Sequence, residues 1–161
     1  MKRRATWLTL LVSCCLLLLF VMPQYSTAEE PPDANELTKE MANNVSEEYV
    51  ICAAYYMIAC EGVRRSGDLT TAQRIEGARD RALDYALVAA RKGRTEEMAQ
   101  KVTLARLELN VKSMRAEIDG DISNVSILMN KYAARCKEIM EDPDKVMDEW
   151  MGKVLKKHNL K

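Results

Sequence analysis

The sequence predicts an all-α protein, a small up-and-down bundle of three to four helices that follows an N-terminal signal peptide. Between Pro32 and Pro143 the chain contains no proline, so no residue of that kind interrupts a helix there. Apolar residues recur along this stretch at steps of three and four, the spacing of one helix face. Glycine is sparse, and Gly67 and Gly93 lie where helices are expected to end.

The first 28 residues have the pattern of a secretory signal peptide. A basic start at residues 2–4 precedes an uncharged stretch, which ends in the small-residue triplet 26–28. We therefore expect cleavage between Ala28 and Glu29 and release of the mature chain into an oxidising compartment.

Two alternatives stay open for this N-terminus. The segment 11–14 ends in Cys14 and has the form of a lipoprotein cleavage box, although only about nine apolar residues precede that cysteine. The second alternative is an uncleaved signal, because an apolar run of around 18 residues can just span a bilayer and would anchor the protein. Cleavage at the lipoprotein box leaves residues 15–22 as an unexplained apolar start, so the sequence favours the cleaved, soluble form.

The composition of the mature chain excludes some functional classes. Removing 28 of the 161 residues leaves 133, which suits one domain with a real core. Once residues 2–4 are removed, 21 basic side chains face 24 acidic ones, a net charge of −3. Since no overall positive field exists, we predict no nucleic-acid binding, and membrane contact only with an uncleaved or lipidated N-terminus.

The first helix is predicted from Ser46, a plausible N-cap, to Arg65, with an extension back to Asn35 left open. Residues 29–45 are thus a flexible lead or the start of this helix, and 46–161 form the bundle domain. No charge occurs over 49–60, which favours a central helix surrounded by its neighbours. The alternative is an interface for a partner or a second copy, with these candidate residues: Tyr49, Tyr55, Tyr56 and Met57.

The second helix is predicted from Leu69 to Lys92. An alanine-rich stripe permits close approach to the first helix, while the other face carries arginines interleaved with acids. A solvated face is the simpler interpretation of those alternating charges. Because residues 64–94 have a local charge of +4, Arg74 and Arg81 are candidates for docking an acidic partner.

Thr95 opens a third helical stretch whose apolar phase continues through Gly120 to Met140. One alternative is a single straight helix of about 46 residues. Turn-forming residues nevertheless concentrate over 118–124, and glycine costs about 1 kcal/mol inside a helix. We therefore favour a bend or reversal near Gly120.

The last helix is predicted to begin with Asp142 as N-cap and Pro143 as the first helical residue. Its acids come first and its lysines last, an order that suits the helix dipole. Trp150 lies on the apolar face of this helix. We expect that face to dock onto the bundle, and the alternative is contact with a partner or a membrane surface.

The cysteines predict one disulfide bond. Cys52 and Cys60 are about 12 Å apart along one helix, beyond the roughly 7 Å limit between bridged Cα atoms. If the chain turns at Gly67 and reverses near Gly120, Cys52 and Cys136 lie at the same height in the bundle. We predict a Cys52–Cys136 bond, which leaves Cys60 buried or available to join two chains.

No cluster in the sequence has the spacing of a catalytic or metal site. His158 is the only histidine, and the local sequence offers no acid to orient it. The three remaining cysteines lack the short pair spacing of zinc ligands. Carboxylate pairs such as 47–48 are explained as charges at helix N-termini. We predict no metal, no cofactor and no enzymatic activity.

These expectations describe a small exported helical module of the bacterial envelope, located in the periplasm, that binds a protein partner or itself. The compact basic start of the signal is typical of bacterial export. The alternative is an inner-membrane component tethered by an uncleaved N-terminus. The third possibility is an enzyme of a type that the sequence does not reveal.

Overall fold

The computed structural model describes residues 33–160, so the predicted signal peptide and its cleavage site lie outside the described residues. Over this range the chain forms five α-helices and two single turns of 3-10 helix, and it contains no strand. The predicted all-α class is confirmed. The helices are α1 (Ala34–Arg65), α2 (Leu69–Ala90), α3 (Glu96–Glu117), α4 (Val125–Glu141) and α5 (Pro143–Lys157), with 3-10 turns at Arg91–Gly93 and Ile122–Asn124.

Helix α1 is the centre of the bundle and contacts each of the other four helices. Its uncharged stretch is packed on all sides, with Val50, Ala53 and Ala54 fully buried. A helix without a charged face is stable in water only when neighbours cover it, which explains this position. The central helix predicted from the sequence is what the structure contains.

The contact pairs show which way each helix runs. Helices α1 and α2 form a hairpin, and α3 returns parallel to α1. Helices α4 and α5 both run antiparallel to α1 and together make the fourth leg of the bundle. Helix α4 covers the second half of α1, and α5 covers the first half, as these pairs show: Cys52 with Cys136, Tyr49 with Ile139, Glu48 with Trp150, and Glu40 with His158.

The start of α1 differs from the position favoured by the sequence. The N-cap is Asp33, whose Oδ1 accepts a 2.7 Å hydrogen bond from the backbone N–H of Glu36. Ser46, expected as the N-cap, is instead buried inside the helix. The longer alternative is the correct one, because the added turns over residues 34–45 pack against α5 and the 91–93 turn.

The chain reverses direction directly after α3, as predicted. The N–H of Gly120 bonds to the carbonyl of Arg115 at 2.8 Å, and that of Asp119 bonds to Ala116 at 3.1 Å. This is the Schellman arrangement, which satisfies the last carbonyls of a helix. Asp119 and Gly120 have φ angles of 54° and 71°, and such left-handed backbone ends a helix. The straight 46-residue helix is therefore wrong.

Helix α5 begins as predicted, and a single residue, Asp142, separates it from the end of α4. Asp142 Oδ1 accepts a 3.1 Å hydrogen bond from the backbone N–H of Lys145, and Pro143 is the first helical residue. Because proline has no N–H, the backbone ladder of α4 cannot continue through it. The hydrogen-bond ladder of α4 therefore ends here, and α5 begins as a separate helix.

The predicted disulfide bond joins α1 to α4. The Cα atoms of Cys52 and Cys136 are 5.3 Å apart, and the bond closes a sequence separation of 84 residues. Both cysteines are 1% exposed. The pairing and the reversal support each other, since only a folded-back chain brings these two positions to one height.

Candidate functional site

Two of the aromatic interface candidates lie in the core. Tyr49 and Tyr55 are 3% and 5% exposed, because α2 and α4 cover them. The Tyr49 ring lies 5.2 Å from that of Tyr85, and its hydroxyl donates to the carbonyl of Ile139 at 3.4 Å. Burial raises the pKa of Tyr49 to about 12. Both side chains are therefore almost wholly covered within the chain, and their role as interface residues stays a prediction.

The other candidates on α1 and α2 reach the surface. Tyr56 is half-buried against Tyr55, with ring centroids 5.2 Å apart, and Met57 is 37% exposed. Arg74 and Arg81 are exposed on α2. Arg74 makes only a local hydrogen bond, to a threonine one turn earlier in the helix.

Trp150 holds α5 onto the bundle. Its Nε1–H donates to Glu48 Oε1 at 3.1 Å, while Arg135 Nη2 donates to Glu48 Oε2 at 2.8 Å and to Glu149 Oε2 at 2.7 Å. The hydrogen bond to Glu149 is the largest cause that raises the pKa of Arg135, and the bonds to Glu138 and Glu48 add to it. The guanidinium group is therefore permanently charged. The predicted docking of this helix is confirmed, and the polar atoms of Trp150 are used inside the chain.

His158 has an acidic partner that the local sequence does not contain. Its Nε2 lies 2.7 Å from Glu40 Oε2, and Lys157 Nζ donates to the other oxygen of Glu40 at 2.6 Å. Both hydrogen bonds lower the pKa of Glu40, and the bond from Lys157 has the larger effect. The folded chain thus brings to His158 an acid that sequence reasoning missed. The contacts of Glu40 with Lys157 and His158 hold the end of α5 against the first half of α1.

An open cleft of about 450 Å³ lies between α1, α2 and α3, beside the turn that joins α1 to α2. It is the clearest candidate site in the described range because charged groups from three helices converge there. Its charged lining has four guanidinium groups and two carboxylates: Arg64, Arg65, Arg79, Arg115, Glu61 and Glu76.

The two carboxylates hold three of the guanidinium groups in place. Glu61 on α1 accepts hydrogen bonds from Arg65 at 2.8 Å and from Arg115 on α3 at 2.7 Å. Glu76 on α2 accepts a 2.5 Å hydrogen bond from Arg64 on α1. The hydrogen bond from Arg115 is the main cause that lowers the pKa of Glu61, so this carboxylate is ionised at neutral pH. Each carboxylate therefore ties two helices together at the mouth of the cleft.

Arg79 is occupied differently, because its Nε and Nη2 lie 2.8 and 2.7 Å from Asp80 Oδ1. Below the charged groups the cleft is lined by apolar side chains and one thiol: Met57, Ile58, Val111 and Cys60. The Cys60 thiol is buried and lies 3.6 Å from the carbonyl oxygen of Ala72, which accepts its weak hydrogen bond. The cleft therefore combines guanidinium groups with an apolar floor.

A second, more apolar groove of about 290 Å³ runs between the first half of α1, α2 and the start of α5. Its lining includes two tyrosine and two methionine side chains: Tyr49, Tyr85, Met41 and Met147. The sequence indicated neither cavity, because each is assembled from three helices. Arg115 was not singled out, and nothing local signals that it meets a carboxylate 54 residues away.

Over residues 33–160 no group of three or more histidine, cysteine, aspartate or glutamate side chains is arranged to hold a metal ion. No helix in that range is long and apolar enough to cross a membrane. Comparison with protein-family models, with curated proteins and with solved structures gives no match to this chain.

Proposed function

We propose that this chain is an exported helical binding module of the bacterial envelope, which acts by contact with a ligand or partner and not by catalysis. The observation that carries the proposal is the buried Cys52–Cys136 bond. Such bonds form and persist in oxidising compartments, the periplasm among them, and are rare in the bacterial cytoplasm. The signal-like N-terminus, with its basic start and small-residue exit, supports the same compartment.

The chemistry of the cleft supports binding over catalysis. Hydrolysis or group transfer requires a free nucleophile or base. In the cleft the Cys60 thiol is buried and hydrogen-bonded to the Ala72 carbonyl, and Glu61 and Glu76 are paired with arginines. The histidine–carboxylate pair, His158 with Glu40, belongs to the other end of the bundle. Glu40 and Glu61 are separated by about 30 Å along α1, at 1.5 Å per residue. The pair therefore stabilises the fold at a distance from the cleft.

The experiment is fractionation of a bacterial host that expresses the full chain, followed by intact mass measurement and non-reducing peptide mapping. We expect a periplasmic species that begins at Glu29 and yields a Cys52–Cys136 peptide. A C52S/C136S variant is the control, because it keeps the N-terminus and removes the bond. Recovery of a full-length precursor in the membrane fraction would replace the proposal by the anchored alternative. A reduced cytoplasmic chain would overturn it.

A further inference from the structure

We propose that the cleft between α1, α2 and α3 binds a small molecule that carries an oxyanion, phosphate or carboxylate, on an apolar body. The inference rests on the proposed binding role and names its ligand class. Its starting point is the convergence of Arg64, Arg65 and Arg115, from two helices, on one opening. Guanidinium groups present paired N–H donors whose geometry matches phosphate and carboxylate oxygens.

The charges of the cleft do not cancel. The complete sequence has a formal net charge of zero, and the stretch after residue 28 is slightly acidic. Four guanidinium groups and two carboxylates line the cleft, while Asp80 beside Arg79 and Asp121, which has a favourable Coulomb interaction with Arg65, lie outside that lining. The lining itself therefore has two more positive charges than negative ones, and an anion bound among the arginines would neutralise them. Such a surplus inside a concave opening attracts anions more strongly than an isolated surface arginine does.

The three guanidinium groups also have unused donors. Within residues 33–160, the hydrogen bonds of Arg64, Arg65 and Arg115 run through Nη2 alone. Among these described residues, Nε and Nη1 of each group have no hydrogen-bond acceptor. These N–H groups are available to ligand oxygens without breaking an existing ion pair.

The carboxylates position these donors before any ligand arrives. Glu61 and Glu76 fix long side chains that would otherwise lose rotamer freedom on binding, a cost of about 0.5–1.5 kcal/mol for each immobilised side chain. Because both carboxylates connect different helices, the cleft opening depends on the bundle itself.

The floor of the cleft determines the rest of the ligand class. Met57 and Val111 contribute apolar surface to the lining, next to the almost fully buried Ile58, and the volume of about 450 Å³ suits a small organic molecule. Inorganic phosphate would leave this floor in contact with water. An apolar group attached to the oxyanion covers it and gains the corresponding free energy.

The test uses the oxidised mature protein and phenyl phosphate, which combines a ring with a phosphate. Inorganic phosphate and benzyl alcohol serve as probes for the charge alone and the ring alone. Titrations followed by calorimetry and by backbone amide NMR should show phenyl phosphate binding about tenfold more tightly than either control probe. The amide shifts should concentrate around Met57, Arg64 and Arg115.

Variants separate a binding site from a network that only joins helices. Arg115→Met keeps the apolar stem of the side chain and removes the charge, so we expect phenyl phosphate to bind about tenfold more weakly. Arg91→Met in the 91–93 turn is the matched control, since Arg91 is also an exposed arginine paired with a carboxylate but lies outside the cleft, and it should leave affinity unchanged. Arg64→Gln provides a second cleft variant if Arg115→Met reduces folding, which circular dichroism checks.

Vesicles that contain phosphatidic acid distinguish the source of the oxyanion. Binding that depends on Arg115 and occurs on vesicles assigns the ligand to lipid headgroups, while binding of phenyl phosphate alone assigns it to soluble molecules. If an exported, disulfide-bonded protein binds neither, or if Arg115→Met and Arg91→Met behave alike, the inference is overturned and the proposed export role stands. A reduced cytoplasmic chain would instead remove the proposed function.

Discussion

Both halves of α1 form ion pairs between carboxylates and basic side chains, but the ion pairs have different consequences in each half. In the first half, Glu40 and Glu48 are satisfied by donors from α4 and α5, and these contacts close α5 onto the bundle. In the second half, Arg64 and Arg65 face carboxylates that other arginines share, and a cleft stays open. Where acids on the central helix meet enough donors, as in this first half, α5 is held closed onto α1, although an apolar groove remains between α1, α2 and α5. Where guanidinium groups exceed carboxylates, donors remain for a ligand.

The disulfide bond lies between these halves and should give the largest effect. We expect C52S/C136S to lower the free energy of unfolding by about 4 kcal/mol in the chain-entropy model, because the bond closes a long loop. Urea unfolding followed by circular dichroism measures this loss. Cys60→Ala is the control, since it removes a buried thiol without removing a bond, and its smaller cost reflects packing alone. Equal midpoints for the two variants would show that the bond does not stabilise the junction.

The closed half should be sensitive to Trp150. Trp150→Ala removes a ring that packs on the core and the donor to Glu48, which leaves the charge of Glu48 with one partner fewer. We expect a loss of about 2 kcal/mol, below the range for a fully buried tryptophan because the ring is only half-buried. Urea unfolding with detection of backbone helicity provides the measurement.

Trp150→Phe is the matched variant, because it keeps an aromatic ring and removes the indole N–H. The free energy of unfolding of Trp150→Phe should lie between that of the wild type and that of Trp150→Ala. An unchanged midpoint for Trp150→Ala would mean that α5 contributes nothing to stability, and the contrast between a closed and an open half would fail.

A substitution in the chain reversal after α3 should have a smaller effect on stability. Gly120 has a φ of 71°, so Gly120→Ala places a side chain in left-handed backbone at a cost of about 1 kcal/mol. Its added Cβ would meet no atom within 4 Å, so the cost is conformational and not steric. Thermal unfolding should detect it. Gly152→Ala is the control, because that glycine lies inside α5, also in open space, where alanine is the better helix former. A loss of stability in both variants would contradict this explanation.

The features that sequence reasoning found are those with local chemical causes. Asp142 and Pro143 mark a helix start by capping and by the missing N–H, and the turn formers around Gly120 mark the reversal. The Cys52–Cys136 pairing followed from counting heights along helices between two turns. Each of these needs only the rise of a helix and the properties of a few neighbouring residues.

The features that sequence reasoning missed depend on contacts between residues that are far apart in the chain. Helix α1 begins at Ala34 because α5 packs on its first turns, and nothing near Ser46 signals that contact. Glu40 and His158 are separated by 118 residues, and the cleft needs Arg115 to reach Glu61 across 54. The burial of Tyr49 likewise follows from where α2 and α4 lie. Such contacts are properties of the assembled bundle.

The smallest expected effect is the pH dependence of stability that arises from one carboxylate in each half of α1, Glu40 and Glu61. The pKa of Glu40 is lowered mainly by its hydrogen bond from Lys157, and that of Glu61 mainly by Arg115. A carboxylate with a lowered pKa in the folded state stabilises the protein above its unfolded pKa, near 4.5, and this stabilisation is lost as pH falls through the folded value. Both groups are partly exposed, so each contribution is below about 1 kcal/mol.

Trp150 reports which half responds, because it lies on α5 and the only other tryptophan, Trp7, precedes Ala28. On acidification below pH 4.5, loss of the Glu40 contacts should loosen α5 and shift Trp150 fluorescence to longer wavelength before the helices unfold. Glu40→Gln should give the shifted spectrum already at neutral pH, whereas Glu61→Gln should leave it unchanged, since Glu61 contacts α3 and not α5. An equal shift in both variants would mean that the two halves of α1 respond as one unit.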